Sequence, residues 1–314
     1  MDARRAQGLC HRSLLLLLAG LLLVLDVQAA PAAAKPPMNW LMLNLPPGSM
    51  PVEGRPTDGI SDVALEMIMA AMPEYDHHVT VVNAARALVS LAEGAPACFA
   101  SAALTPEREQ LAYFTQTHLL PPLQIVVRAD RARFLPLNGS GEVDARALFN
   151  SSKLQGVVVT QRSYTPALDE LLRHRGPHSG VANALAADSG ANVLRMLRMG
   201  RADYTIEYEF VLTYQARRYT DLGDPQQLIT LPIAGADPVR IGVACPHTSW
   251  GREMILRVDA ILTQASTHPR YRDSVNRWLS ELGVQRHQRQ QDEFFAQRTQ
   301  LSPRARYPEW PTSK

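Results

Sequence analysis

From residue 38 to residue 128, short apolar runs alternate with capped helical segments, and this order restricts the chain to an α/β fold. The run 38–43 (Met-Asn-Trp-Leu-Met-Leu) has the length of a strand and is ended by Pro46-Pro47-Gly48. Asp58-Gly59 marks a turn, after which Ser61 is expected to cap a helix over 62–72 that is apolar nearly all round, therefore buried, and stopped by Pro73. A second strand is expected over 79–82. Asn83 then caps a helix that runs to Leu91 and closes at Gly94, and a third strand is expected over 98–103. Thr105-Pro106-Glu107-Arg108 is a helix start with a physical basis: threonine accepts from a free N–H, proline suits the first helical position, and glutamate complements the dipole. A long strand over 121–128 completes a βαβαβαβ order.

Asn138-Gly-Ser-Gly141 interrupts this order and a second α/β series follows. Strands are expected over 156–160 and 202–206, and helices over 165–172, 189–199 and 210–216. A strand over 239–244 and amphipathic helices over 254–264 and 271–282 come next. From Gln285 the chain is polar and then proline-rich, so a helix fraying into a disordered tail is expected.

The first thirty residues have a different character. Arg4, Arg5 and Arg12 form a basic region, residues 14–25 a leucine-rich apolar run, and Val27, Ala29 and Ala30 a small-residue exit, which is the pattern of a cleavable signal peptide cut near Ala29 or Ala30. The run is about a dozen residues, too short at ~1.5 Å per residue to cross ~30 Å of hydrocarbon. Export to the periplasm is expected, with no anchor. Lys+Arg 32 against Asp+Glu 30 gives no reason to expect nucleic acid as a partner. Past the signal, two cysteines remain, Cys98 and Cys245. In an oxidising compartment they either pair or stay buried as free thiols.

Motifs for nucleophilic, metal-dependent and nucleotide chemistry are absent, so no catalytic residue, metal or cofactor is assigned. His77-His78, and His174 with His178, lack the spacing of a metal site. Arg108, in the first turn of a helix directly after a strand, stands where α/β folds bind ligands, and a guanidinium suits a carboxylate there. It could equally pair with Glu107 or Glu109. Ser163 and Tyr164 hold the corresponding place in the second series, as anion donors or as ordinary caps. Glu207, Tyr208 and Glu209 gather acidic and aromatic groups at another strand's carboxyl end, able to hold a cation or a ring or simply to start the next helix.

Three strings in this order resemble the family 3 bacterial extracellular solute-binding proteins, which feed polar amino acids to importers. They are Ala102-Ala-Leu-Thr-Pro-Glu-Arg-Glu-Gln-Leu-Ala-Tyr-Phe-Thr115, Met199-Gly-Arg-Ala-Asp-Tyr-Thr-Ile206, and Ile241-Gly-Val-Ala244. Strings such as Cys245-Pro-His-Thr-Ser-Trp-Gly251 are similar to an uncharacterised branch of that family. The resemblance implies a type II periplasmic binding protein fold, two α/β lobes joined by two hinge strands that close over a ligand. Lobe 1 would take 38–124 plus 240–284, lobe 2 128–235, and 285–314 a C-terminal helix and tail. Both cysteines then fall in or beside lobe 1, which favours a disulfide. Arg108 matches the arginine that grips a ligand carboxylate, with Thr105 capping its helix. At the carboxylate that holds an amino group, this chain has Tyr208, flanked by Glu207 and Glu209, and Ala103 stands where a polar residue is usual.

The resemblance therefore implies a monomeric periplasmic binding protein for a small polar, carboxylate-bearing ligand, serving an ABC permease or a membrane receptor. An enzyme on the same scaffold, similar to cyclohexadienyl dehydratase with Glu207 as its acid, is the alternative.

Overall fold

The computed structural model describes residues 34–160, 162–184, 191–218 and 227–309. The expected signal peptide, and the last residues of the expected tail, lie outside these. Among the described residues no helix is long and apolar enough to cross a membrane.

Among the described residues ten strands form two five-stranded sheets. The first has the order β2-β1-β3-β10-β4, built from β1 (Pro37–Met42), β2 (Asp76–Val81), β3 (Ala97–Ala103), β4 (Ala112–Leu120) and β10 (Val239–Pro246). The second has the order β7-β6-β8-β5-β9, built from β5 (Gln124–Arg128), β6 (Gly156–Val159), β7 (Val181–Ala184), β8 (Tyr204–Glu207) and β9 (Leu228–Pro232). In each sheet three neighbouring strands are parallel, and the remaining pairings are antiparallel. The chain passes from the first sheet to the second between β4 and β5, and returns between β9 and β10. This is the two-lobed α/β architecture expected from the sequence.

The helices follow from caps and apolar faces, with some corrections. Helix α1 (Ile60–Ala70) starts two residues earlier than expected: Gly59, not Ser61, is the N-cap, and Ser61 lies inside the buried face. The aspartate at the third helical position reaches back instead, as Asp62 accepts from the backbone N–H of Gly59, Thr57 and Met50. Asn83 caps α2 (Ala84–Ala92) as expected, accepting from Arg86 N, and Gly94 at φ +73° ends the turn. The stretch 112–120, not recognised as a strand from the sequence, is β4. It precedes the crossing at Pro121-Pro122, and β5 is correspondingly shorter than the expected strand.

The C-terminal region differs most from expectation. The run expected as one helix over 271–282 divides into α9 (Pro269–Asn276) and the start of α10 (Glu281–Arg298), which continues well past Gln285. Neither α10 nor the segment after it frays within the described residues. Phe294, Phe295 and Tyr307 join the core that β1, α1 and α8 (Ser249–Ala265) share. Buried Asp259 on α8 pairs with Arg298 at 3.1 Å and accepts from Thr115 Oγ1 at 2.5 Å and from the backbone N–H of Ser302 at 2.9 Å. Tyr113 donates to Pro308 O, and Arg252 to Tyr307 O.

Cys98 on β3 and Cys245 on β10 are joined as a disulfide, fully buried, with Cα atoms 4.4 Å apart. It ties the returning strand to the central strand of the first sheet.

Candidate functional site

Strand register locates the site. In the first sheet Ala103, at the carboxyl end of β3, lies opposite Ile241, and Leu104 N donates to Arg240 O at 2.8 Å, close to where β10 enters opposite Leu120. In the second, Glu207 at the carboxyl end of β8 lies opposite Gln124, the first residue of β5. The carboxyl ends of the parallel strands in both sheets thus reach the edge where the chain crosses between lobes, where α/β sheets bind ligands.

On the first lobe Thr105 caps α3 (Pro106–Glu109), accepting from Arg108 N at 3.3 Å. The helix is a single turn, so Arg108 stays beside the end of β3. Its guanidinium is half-buried and donates through Nη1 to Ala103 O at 2.9 Å. Burial draws its pKa below the ordinary guanidinium value, and Glu107 acts in the opposite direction. The helical neighbours are engaged otherwise. Glu109 pairs with Arg306 at 3.3 Å, while the Glu107 carboxyl is held below its ordinary range by Glu107's own backbone N–H and by the Thr105 hydroxyl. Among the described residues no carboxylate lies within ion-pair distance of Arg108. Beyond the ends of β2, β1 and β3 stand Val82, Leu43 and Leu104, all half-buried against one apolar cluster. The loop after β1 is held by Asp62 and by Ser49 Oγ, which donates to Leu43 O at 2.7 Å.

On the second lobe Glu207 receives two hydrogen bonds from Arg162, Nη1 to Oε2 at 2.5 Å and Nη2 to Oε1 at 2.6 Å, and a third from Tyr208 N at 2.9 Å. Glu207 is buried, and 24% of the Arg162 side chain is exposed. Burial alone would lower the Arg162 pKa, but the Glu207 carboxylate outweighs it and holds the guanidinium above its ordinary value. The Arg162 guanidinium carbon lies 5.0 Å from the centre of the Tyr164 ring. The Tyr164 hydroxyl accepts from Val159 N at 2.8 Å, and the half-buried Tyr208 ring stacks on Phe210 at 4.7 Å. Burial raises the pKa of both phenols.

The structure brings Tyr164, Glu207 and Tyr208 together around an arginine that sequence reasoning missed. Arg162 precedes the cap of α5 (Pro166–Arg173) by three residues, and the only sequence signal was a basic residue just after a strand parallel to the one ending in Glu207. The other expected residues are turned elsewhere. Ser163 Oγ donates at 2.5 Å to Asp169 on the helix it precedes. Glu209, at the start of α7 (Glu209–Arg218), is buried and accepts from the hydroxyl and N–H of Ser280, the N-cap of α10.

The histidine pairs are likewise accounted for. His77 accepts from Trp40 Nε1 at 3.1 Å and touches Met72 O at 2.9 Å, and His78 lies 3.1 Å from Asp76. Among the described residues no group of three His, Cys, Asp or Glu could hold a metal ion.

No protein-family model matches this chain, and no curated protein matches it in sequence. Solved structures do match. The chain is similar to the periplasmic VFT2 domain of BvgS from Bordetella pertussis, at 17% identity and a TM-score of 0.56, over 78% of this chain and 94% of that one. It is similar to ytmK of Bacillus subtilis, described as the probable extracellular-binding protein of an amino-acid ABC transporter, at 16% identity and a TM-score of 0.57, over 79% of this chain and 99% of that one. A histidine kinase sensor domain with similarity to periplasmic binding proteins matches at 16% identity and a TM-score of 0.58, over 78% and 97%. With two five-stranded lobes linked by two crossings, and these structural neighbours, the chain has the two-lobed fold of the periplasmic binding proteins.

Proposed function

We propose that this chain is exported through a signal peptide cut near Ala29 or Ala30 and works outside the cytoplasm as a solute-binding protein. A small carboxylate-bearing ligand enters between the lobes, 38–124 plus 240–284 on one side and 128–235 on the other, and stabilises their closed form. The observation that carries this reading is Arg108, a half-buried guanidinium at a strand's carboxyl end with no carboxylate partner among the described residues. A bidentate carboxylate would satisfy it. Structural neighbours described as a transporter's binding protein and as a sensor domain support a role in import or in sensing.

The dehydratase-like alternative is weaker, because it needs a protonated acid and Glu207 is already bound as a carboxylate by Arg162. A thermal-shift screen of organic acids, amino acids, short peptides and sugars tests the proposal. A ligand at 100 times its Kd stabilises by about 2.7 kcal/mol, or roughly 5 °C for a chain of this size. A true ligand should lose that shift in Arg108→Ala. If the shift survives intact, Arg108 is not the anchor.

A further inference from the structure

The strand ends that meet at the crossings carry an unequal set of charges. A free amino acid brings a carboxylate and an ammonium, and it needs a partner for each. Two carboxylates, Glu207 and Glu209, stand where an ammonium could be received. Both are occupied by the protein itself. Glu209 turns to Ser280 at the start of α10, away from the end of β8. Glu207 gives both oxygens to Arg162 and one of them also to Tyr208 N. An arriving ammonium would have to separate a bidentate pair whose acid is 2% exposed, which leaves a guanidinium without its counter-charge.

The remaining surface has the opposite character. Among the described residues Arg108 has no carboxylate within ion-pair distance, so Arg108, Arg162 and Glu207 together keep one net positive charge. Beside Arg108, the residues past the ends of three parallel strands are Val82, Leu43 and Leu104, half-buried and apolar, and Ala103 adds no polar side chain. On the other lobe the half-buried Tyr208 ring lies over Phe210. Apolar surface of this kind rewards burial of hydrocarbon.

We propose that the cleft selects a monocarboxylate with an apolar body and no ammonium group, and that the Arg162–Glu207 pair determines this specificity by withdrawing the acid an amino group would need. The inference rests on reading the cleft as a ligand site. Arg108 fixes the carboxylate, the apolar strand ends receive the body, and the neutralised pair forms the opposite wall.

Matched ligands test it. The mature protein is titrated calorimetrically with 3-phenylpropanoate against L-phenylalanine, and with 4-methylpentanoate against L-leucine, each pair differing in the ammonium group. The acid of each pair is expected to bind at least tenfold tighter. In Arg162→Gln, which frees Glu207, the amino acids are expected to gain at least tenfold. Should that variant fail to fold, Arg162→Lys, which keeps a cation beside Glu207 but loses the bidentate grip on both its oxygens, replaces it, and discrimination is expected to fall below threefold. Equal or tighter binding of the amino acids to the wild type overturns the ligand class but leaves the cleft reading intact. Unchanged discrimination in the folded variants overturns the role of the pair. If neither series binds while a sugar or peptide does, the ligand class falls alone; if nothing in the wider screen binds, it falls together with the cleft.

Discussion

Removing the Arg162 guanidinium would strand a buried carboxylate, because Glu207 has no other cation within ion-pair distance among the described residues. Breaking such a pair from one side leaves an uncompensated charge, so Arg162→Ala is expected to cost about 3 kcal/mol, read from the urea midpoint. A second buried group sets a pH response. His118 on β4 is fully enclosed, its Nε2 2.9 Å from Ser274 Oγ, and burial pushes its pKa down to about 3. Ser274 spends its own proton on Tyr271 O, so the neutral imidazole donates from Nε2. The unfolded chain takes up a proton near pH 6.5 and the folded one does not, so this residue makes stability fall as pH drops from about 6.5 toward 3, by at most about 1.4 kcal/mol per unit. Unfolding midpoints of wild type and His118→Gln at pH 4 and pH 7 check it: the variant should lose part of that acid-side decline. Thr105 and Arg108 were legible because capping chemistry is local, four residues deciding where the arginine sits. Arg162 was not, since its partner lies 45 residues away and meets it only through the parallel register of β6 and β8.

Among the elements, the capped helices and the strands of the two sheets follow periodicity and turn signals closely. Strands β4, β7 and β9, the short helix Ala145–Phe149 and the full length of α10 did not. Strand β4 was hidden because its sequence, Ala-Tyr-Phe-Thr-Gln-Thr-His-Leu-Leu, mixes polar residues into a strand that is buried almost throughout. Helix α10 was read as fraying because several of its buried positions are polar: His287, Gln291 and Arg298 face inward with Phe294 and Phe295. Gln291 donates to Leu119 O and Arg298 to Gln116 O, Arg298 also pairs with the Asp259 carboxylate, and His287 meets Gln290 on its own helix. A polar inward face gives no hydrophobic period to read. Arg298→Ala should therefore strand Asp259, lowering stability by about 3 kcal/mol. A chain ending at Gln300, which keeps Arg298 but loses Ser302 and Tyr307, should melt several degrees lower. Unchanged melting of both would mean the C-terminal segment is not part of the core.

For the whole molecule, the two-sheet division was visible in the interrupted α/β order, whereas the insertion of β10 between β3 and β4, and of β5 between β8 and β9, depends on long-range pairing that no local signal encodes. The disulfide spans 147 residues and joins β3 to the strand that returns from the other lobe. Replacing both cysteines with alanine is expected to cost about 2–4 kcal/mol in chemical denaturation without preventing ligand binding, since the bridge lies within one sheet and leaves the crossings free. Binding itself is the central claim, and it turns on one guanidinium. The direct test is calorimetric titration of wild type and Arg108→Ala with 3-phenylpropanoate. Loss of a charge-assisted, partly buried contact of about 1.5–3 kcal/mol predicts affinity at least tenfold weaker in the variant, and equal affinity in the two proteins would contradict the account.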